Sequence, residues 1–232
     1  MCPIQNMKLS IVIPAHNESK NLQLLIPQLD TTLSTIGEEY EIIIVDNASV
    51  DDTSAEIDLL KKKFPKVVGI FEPEKGFGSA ILAGLKNAQG EVLGYIHADN
   101  QMESMDVLRI YKKLKQENLA LCKATRLDRH DGFVRWVISR VYNILFRIMF
   151  RARLRDINGS PKLFTGEFFQ KANISSRDWF IDPEIVIKAQ KMGVRMGEVE
   201  IHTLPREYGF SQVRLQTVIE FIKNMLSYWK KK

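Results

Sequence analysis

The sequence predicts an α/β fold in which helices cover both faces of a mostly parallel sheet. Short apolar segments alternate with longer segments whose apolar residues have helical spacing, and polar residues follow the apolar segments. The 232 residues are 45% hydrophobic and 26% charged, which is an ordinary globular composition. Such alternation is typical of parallel strands joined by crossover helices.

Five strands are predicted in the first part of the chain. They cover residues 9–13, 41–45, 67–71, 92–96 and 119–124. A stretch with helical spacing follows each of the first four, and two of these helices are predicted at 77–88 and 102–116. Because consecutive parallel strands need a long crossover connection, each of these helices has a place in the fold.

The alternation stops near residue 125, where a basic and apolar region begins. Eight arginines lie between residues 126 and 155. A helix is predicted at 133–150, with apolar residues on one side and arginines between them, and a second at 218–229 precedes three lysines. Such helices can pack in a core, lie on an anionic membrane or meet a second subunit. We expect membrane contact and leave a homo-oligomer open.

Composition and motifs argue against several classes of protein. Cys2 and Cys122 are too few for a disulfide framework or a cysteine metal site, so we expect a reducing, cytosolic setting. The N-terminus lacks the apolar core of a signal peptide, and no apolar segment is long enough to span a bilayer. The net charge of +5 comes without a nucleic-acid-binding motif, so nucleic acid is not an expected partner.

Polar loops follow the first four predicted strands, and the carboxyl ends of parallel strands form the ligand-binding edge of such a sheet. Glu18 and Asp46 can accept hydrogen bonds from ribose hydroxyls or base N–H groups. Lys75 and a helix start suit a diphosphate, and Asp99 offers a hard oxygen ligand for Mg²⁺ or Mn²⁺. The residues predicted to bind a nucleotide-sugar are Pro14, Ala15, Asn17, Glu18, Asp46, Asn47, Lys75, Gly76, Gly78, His97, Ala98 and Asp99.

Five segments resemble the motifs of one enzyme family. Residues 14–18 read PAHNE, 46–53 read DNASVDDT, 75–78 read KGFG, 97–101 read HADNQ, and Thr125 precedes Arg126. Together they resemble the family-2 glycosyltransferases of GT-A fold, and among these the branch similar to dolichyl-phosphate mannose synthase and its bacterial polyprenyl-phosphate relatives. The resemblance implies a single Rossmann-like GT-A domain over residues 1–232. Its nucleotide-sugar-binding half would cover about 8–125, its acceptor-side half about 126–217, and a basic helix 218–232.

The resemblance also implies roles for individual side chains. Asp99 and Gln101 would hold a divalent metal ion, Mg or Mn, with His97 in place of the first acid of the family's motif. Asn47 likewise replaces an acid. Arg126 and Arg135 would bind the acceptor's phosphate, Arg206 and Ser211 would lie near the diphosphate or that phosphate, and Asp156 and Asp182 would lie with Asp99 near the reacting atoms.

The activity implied is inverting transfer of a sugar from a nucleotide-sugar to a polyprenyl phosphate of dolichyl or undecaprenyl type. Such a phosphate is already anionic, since its second pKa is about 6. One alternative acceptor is the hydroxyl of a glycan or lipid-linked sugar, which would need Asp182, Glu184 or Asp156 as a base. Another alternative is a nucleotide-binding module without turnover, because His97 and Asn47 depart from the motifs. The expected location is cytoplasmic, peripherally at the inner face of the membrane.

Overall fold

A computed structural model describes residues 7–128, 133–152, 154–206, 208 and 223–229, with the backbone alone for residues 133–139. In this part of the chain the strands β1 to β7 are Leu9–Ala15, Tyr40–Asp46, Val67–Phe71, Val92–Tyr95, Leu121–Arg126, Lys162–Thr165 and Met196–Ile201. The helices α1 to α8 are Ser19–Ser34, Thr53–Lys63, Phe77–Asn87, Ser104–Gln116, Phe133–Phe150, Gly166–Ala172, Ile181–Lys191 and 223–229. The five predicted strands and the helices between them are confirmed.

The strands form one sheet in the order β3-β2-β1-β4-β6-β5-β7. Neighbouring strands are parallel except at β6, which runs antiparallel to both β4 and β5. The predicted α/β class with a mostly parallel sheet is therefore confirmed. The chain moves from β1 outward to β3 and then returns to place β4 on the other side of β1. This reversal creates a switch point next to the carboxyl end of β1, where ligands bind in open α/β sheets.

Helices cover both faces of the sheet, as predicted. On one face, α1 packs against β2, and apolar residues of α4 pack against β5, β6 and β7. On the other face, α3 packs against β1, β2 and β4, and apolar residues of α5 and α7 belong to the same core. The side chains on both faces of the central strands are apolar because helices cover both faces of the sheet. Ile42 and Ile44 of β2 belong to the first core, and Ile43 and Val45 to the second.

Helix α5 is buried along one side and exposed along the other. Phe146 and Phe150 are buried, and the ring of Phe150 lies 6.4 Å from the ring of Tyr228 in α8. The exposed side carries Val141, Ile144, Leu145 and Ile148. Among the described residues no helix is both long and apolar enough to cross a membrane. The helix predicted at 218–229 is seen over 223–229, and its first residues lie outside the described part.

Candidate active site

The candidate site lies at the carboxyl ends of β1, β2, β3 and β4. Asn17, Ala48 and Asn100 lie in the loops after β1, β2 and β4, and their φ angles are 59°, 52° and 53°. Left-handed backbone is unfavourable for residues that carry a side chain, and it occurs often at functional sites. Three of the four loops predicted to bind the ligand therefore contain this conformation.

A cavity of about 270 Å³ opens between the loops that follow β1, β2 and β3. The ring of Phe77 stacks on Trp179 with centroids 4.4 Å apart and on His97 with centroids 5.1 Å apart. Trp179 precedes α7, so a residue from late in the chain lines a cavity formed by the loops after the first three strands. Flat apolar walls of this kind suit a planar ring system. The cavity is lined by Pro14, Ala15, His16, Asn47, Lys75, Gly76, Phe77 and Trp179.

Asn47 ties together the loops around this cavity. Its side-chain amide donates to the carbonyl oxygens of Glu72 at 3.2 Å and Glu74 at 2.8 Å. Its Oδ1 accepts a hydrogen bond from the Gly76 N–H at 2.8 Å, and its backbone carbonyl accepts one from His16 at 2.8 Å. A carboxylate has no N–H to donate to the two carbonyls. The asparagine at a position where the family's motif has an acid thus holds the loops in place.

Lys75 and His16 form a pair in the same cavity. The Lys75 ammonium lies 2.8 Å from Nε2 of His16, while Nδ1 of His16 lies 2.8 Å from the Asn47 carbonyl oxygen. An ammonium only donates and a carbonyl only accepts, so these partners assign the proton of the ring to Nδ1. Nε2 is then the acceptor. The predicted contact of Lys75 with a diphosphate stays a prediction.

Arg206 lies between two acids from different loops. Its Nη2 is 3.2 Å from Oδ2 of Asp99 and 3.4 Å from Oε1 of Glu18. Burial raises the pKa of Glu18, although a hydrogen bond from Asn21 and the charge of Arg206 act in the opposite direction. Two carboxylates that share one cation at a strand end form a site suited to positive charge.

The residues around Asp99 fit a divalent ion. Asp99 and Gln101 offer hard oxygen atoms of the kind that Mg²⁺ and Mn²⁺ prefer, and Oδ2 of Asp99 is paired with the guanidinium of Arg206 at 3.2 Å. The segment that carries Arg206 is fixed here, since the Leu204 N–H donates to the Gln101 carbonyl at 2.8 Å and the Gln101 amide donates back to Leu204 at 3.3 Å. Among the described residues no three His, Cys, Asp or Glu side chains form a metal cluster.

His97 lies among charges of both signs. Burial lowers the pKa of this imidazole, the carboxylates of Asp99 and Asp182 raise it, and the cations of Arg126 and Lys162 lower it again. The net direction is downward, so the ring is neutral near neutral pH. The histidine that replaces the first acid of the family's motif therefore adds no charge of either sign beside Asp99.

Arg126 is paired with Asp156 at the end of β5. Its Nε lies 2.7 Å from Oδ2 and its Nη2 lies 3.0 Å from Oδ1, so the two planar groups form a bidentate pair. Nη2 also donates to the Asn158 carbonyl at 3.3 Å. The predicted acceptor-binding arginine and the predicted reaction-site aspartate are therefore in direct contact.

Asp182 lies in a buried ion pair with Lys162. Both residues are buried, and Oδ1 of Asp182 also accepts a hydrogen bond from the Tyr95 hydroxyl. Burial lowers the pKa of Lys162 to about 8, and the charge of Asp182 opposes this shift. Glu184, two residues further along the chain, is also a buried carboxylate with charged and polar partners. The Glu184 carboxylate is held by Lys188 and by the backbone N–H groups of residues 175 and 176.

Several predicted positions have other surroundings or remain undescribed. A side chain on Gly78 would meet the Ser176 carbonyl oxygen at 2.3 Å, so this glycine allows the segment before α7 to approach α3. Arg135 lies in α5, but its side chain is outside the described residues, as is all of Ser211. Sequence reasoning did not assign roles to His16 or Trp179, which line the cavity. Position alone could have indicated His16, since it lies inside a quoted motif.

An open, mostly parallel sheet with a ring-lined cavity and a pair of acids around Arg206 at its switch point defines an α/β domain with a candidate ligand site at that edge. Comparisons with known proteins specify it further. The sequence model of Glycosyl transferase family 2 matches residues 10–173. The chain therefore belongs to glycosyl transferase family 2 and is a glycosyltransferase.

Curated relatives extend over nearly the whole chain. A dodecaprenyl-phosphate galacturonate synthase from Rhizobium johnstonii is 25% identical over 228 residues, which is 97% of this chain and 67% of the relative. A dolichol-phosphate mannosyltransferase from Pyrococcus furiosus is 28% identical over 232 residues, or 97% of this chain and 64% of the relative. The chain thus spans about two thirds of the length of these relatives.

Solved structures show the same fold. Glucosyl-3-phosphoglycerate synthase from Mycobacterium tuberculosis, in complex with Mn²⁺, UDP and phosphoglyceric acid, superposes with a TM-score of 0.75 at 15% identity. The match covers 96% of this chain and 78% of that one. The predicted GT-A fold is confirmed by this similarity.

Proposed function

We propose that this chain transfers a sugar from a nucleotide-sugar to a polyprenyl phosphate, with inversion at the anomeric carbon. The surroundings of the carboxylates that could act as general bases support this choice of acceptor. Asp156 is bound by Arg126, and Asp182 is bound by Lys162. Burial raises the pKa of Glu184, but its hydrogen bonds outweigh that effect and leave the pKa below its usual range. Carboxylates bound to cations are poor proton acceptors for a sugar hydroxyl, whereas a phosphate needs no base.

The relatives support the same acceptor class. The names of the two curated relatives specify dodecaprenyl phosphate and dolichol phosphate, and a third, from Yersinia enterocolitica, is an undecaprenyl-phosphate 4-deoxy-4-formamido-L-arabinose transferase. The third relative is 25% identical over 224 residues, covering 95% of this chain and 67% of its own length. These proteins transfer different sugars, so they support the lipid phosphate and leave the sugar undefined.

The donor would bind along the switch-point edge. The nucleobase of the donor would enter the cavity beside Phe77, and Asp46 and Glu18 would accept hydrogen bonds from the nucleoside. A divalent ion, Mg or Mn, held by Asp99 and Gln101 would supply Lewis-acid stabilisation of the departing diphosphate. Arg206 lies beside Asp99, so its guanidinium is placed to share the charge of that diphosphate.

The acceptor would approach from the side of β5 and α5. An oxygen of the lipid phosphate would attack the anomeric carbon, and the bond from that carbon to the nucleoside diphosphate would break with its electron pair. No proton has to be removed from the acceptor for this step. Arg126, held rigidly by Asp156, would orient the anionic oxygen.

The exposed side of α5 suits a location at the membrane. Ile148 is 71% exposed, and Val141, Ile144 and Leu145 are exposed on the same helix. Arg140 and Arg151 are exposed near its middle and just beyond its end. Apolar side chains together with arginines are the combination that binds an anionic bilayer surface. We place this face at the inner surface of the membrane, as a peripheral contact that brings the reaction to its lipid.

Transfer to lipid tests this function directly. Radiolabelled nucleotide-sugars are incubated with the protein and a polyprenyl phosphate, and the label that enters the organic phase is counted. We expect one donor to label the lipid, and Asp99→Asn to reduce this by at least about a hundredfold. No labelled lipid across a broad donor panel would contradict the proposal. Label on an added glycan would favour the hydroxyl acceptor, and binding without any transfer would favour a binding module.

A further inference from the structure

Arg206 lies at the end of a segment that has no regular secondary structure. Residues 202–206 follow β7 and lead to the guanidinium that pairs with Asp99 and Glu18. His202 and Leu204 in this segment are exposed. Because little of the segment is buried in a core, packing contributes little to its position, and hydrogen bonds determine where it lies.

Asp128 binds the first part of this segment. Its Oδ1 accepts a hydrogen bond from the Thr203 N–H at 2.8 Å and lies 3.2 Å from the Thr203 hydroxyl, while its Oδ2 lies 2.7 Å from Nδ1 of His202. The hydrogen bond from the Thr203 N–H, followed by that from His202, lowers the pKa of the Asp128 carboxyl, so the group is charged near neutral pH. Hydrogen bonds to a charged acceptor are stronger than those between neutral groups.

These contacts continue the pairing of β5 with β7. The two parallel strands pair as far as Arg126 and Ile201, and the Leu127 N–H then donates to the Ile201 carbonyl at 3.0 Å. Beyond this point the carboxylate of Asp128 accepts the Thr203 N–H, as a backbone carbonyl would in a longer ladder. The backbone of residues 201–203 is therefore fixed to the end of β5.

The segment is stiff between Thr203 and Arg206. The Leu204 N–H donates to the Gln101 carbonyl at 2.8 Å, and the ring of Pro205 fixes its own φ and restricts the residue before it. A shift of Thr203 is therefore transmitted to Arg206 instead of being absorbed by the two residues between them.

We propose that Asp128 is a positioning residue that holds Arg206 at the predicted site of the donor's diphosphate. A guanidinium that is fixed before the ligand arrives loses less conformational entropy on binding than a mobile one does. The carboxylate of Asp128 is itself an anion, so it favours a diphosphate only indirectly, through Arg206. This inference rests on the proposed function, because it assumes a donor that carries a diphosphate.

A double-mutant cycle between Asp128 and Arg206 tests the inference. UDP, GDP, CDP and ADP are screened by calorimetry at one fixed Mg²⁺ concentration, and the nucleotide that binds the wild type most tightly is used throughout. We expect Arg206→Gln to weaken its binding at least about tenfold, which is the effect of one hydrogen bond to a charged group, and Asp128→Ala about fivefold. In the Arg206→Gln background, Asp128→Ala should weaken binding less than about twofold, because the group that it positions is gone.

The direction of the effect separates positioning from direct electrostatics. Removal of a negative charge alone would strengthen the binding of an anion, whereas loss of positioning weakens it. Asp128→Asn keeps an oxygen that can accept the Thr203 N–H, so it should bind within about twofold of the wild type. Asp58→Ala is the matched control, because Asp58 is an exposed aspartate of α2 that pairs with Lys61, and it should leave the affinity unchanged.

Three results would overturn the inference. Asp128→Ala would bind the nucleotide as tightly as the wild type or more tightly, or it would cause the same loss in both backgrounds of the cycle. The third is loss of the fold in Asp128→Ala, measured by urea unfolding, which would assign Asp128 to the fold; its side chain is 40% exposed, so we expect the variant to fold. Failure of every nucleotide to bind the wild type would contradict the proposed function itself, so the two failures are distinguishable.

Discussion

The two halves of the molecule hold their polar side chains in different ways. Around the cavity of the predicted nucleotide-sugar-binding half, side chains such as Asn47 bind backbone groups and fix loops. In the predicted acceptor-side half, charged side chains bind one another. Arg126 pairs with Asp156, and Lys162 pairs with Asp182. The first arrangement shapes a cavity, whereas the second fixes buried or half-buried charges in pairs.

This difference predicts different consequences of substitution. Substitution of a side chain that fixes the loops, such as Asn47, should alter the cavity and therefore the binding of the donor. A change in a buried ion pair should leave a charge without its partner and therefore lower the stability of the whole fold. The following variants test this contrast, from the largest expected effect to the smallest.

Lys162→Met should have the largest effect on stability. The substitution leaves the carboxylate of Asp182 buried without its cation, and breaking a buried pair in this way costs about 3 to 5 kcal/mol. Urea unfolding measures the loss in the free energy of unfolding. The double variant Lys162→Met/Asp182→Leu removes both charges and should recover much of this loss. A single variant as stable as the wild type would show that the ion pair contributes little to the fold.

Asn47→Asp should lower the free energy of unfolding less than Lys162→Met does, and it should weaken the binding of the donor more. A carboxylate cannot donate to the carbonyls of Glu72 and Glu74, so two hydrogen bonds are lost, at about 1 kcal/mol each. We also expect weaker binding of nucleoside diphosphates, measured by calorimetry. Asn87→Asp is the matched control, because the same change at an exposed position of α3 affects one hydrogen bond to its own helix. Equal effects of the two substitutions would remove the special role of Asn47.

The sequence predicted the nucleotide-sugar-binding half better than the acceptor-side half. Alternating apolar runs are local signals, so the strands up to residue 124 and the polar loops after them could be predicted. The antiparallel insertion of β6 between β4 and β5 has no local signal, because pairing partners depend on tertiary contacts. The same reason explains why the partners of Asp182 could not be predicted. Lys162 is close in space but 20 residues away in the chain.

The departures from the family's motifs show a further limit of sequence reasoning. Asn47 and His97 stand where the motif has acids, and from sequence alone both could indicate lost catalysis. In the structure Asn47 makes hydrogen bonds that an acid could not make, and His97 stacks on Phe77 as a neutral ring. The geometry therefore gives each replacement a specific place in the site.

Glu184 should give the acceptor-side half a dependence of stability on acid pH. Burial raises the pKa of this carboxyl, but hydrogen bonds with Lys188 and Ser176 outweigh that effect, so the pKa is lowered in the folded state. The unfolded state binds the proton first as the pH falls below about 4.5. The stabilisation by Glu184 is therefore complete above that pH and is lost as the pH falls through the lowered pKa.

Glu184→Gln isolates this contribution. Each hydrogen bond lost near neutral pH costs about 1 kcal/mol, and the difference in unfolding free energy between the two proteins should shrink as the pH falls from 6 to 3. Glu56→Gln on α2 serves as a control that should show less of this trend, because this half-buried carboxylate accepts one hydrogen bond, from Gln23, which a glutamine can still accept. A difference that stays constant over the same pH range would contradict the assigned direction.

Ile148→Gln should have the smallest effect on the fold and a selective effect on membrane binding. Ile148 is 71% exposed, so the substitution removes little buried surface and should leave the unfolding free energy unchanged within about 0.5 kcal/mol. If this face of α5 enters an anionic bilayer, loss of one apolar side chain should weaken binding to phosphatidylglycerol vesicles by roughly five- to tenfold. Leu59→Gln is the control, because Leu59 is 58% exposed on α2. Equal vesicle binding by both variants and the wild type would place the membrane contact elsewhere, and the acceptor-side half would then lose its proposed role in bringing the lipid to the site.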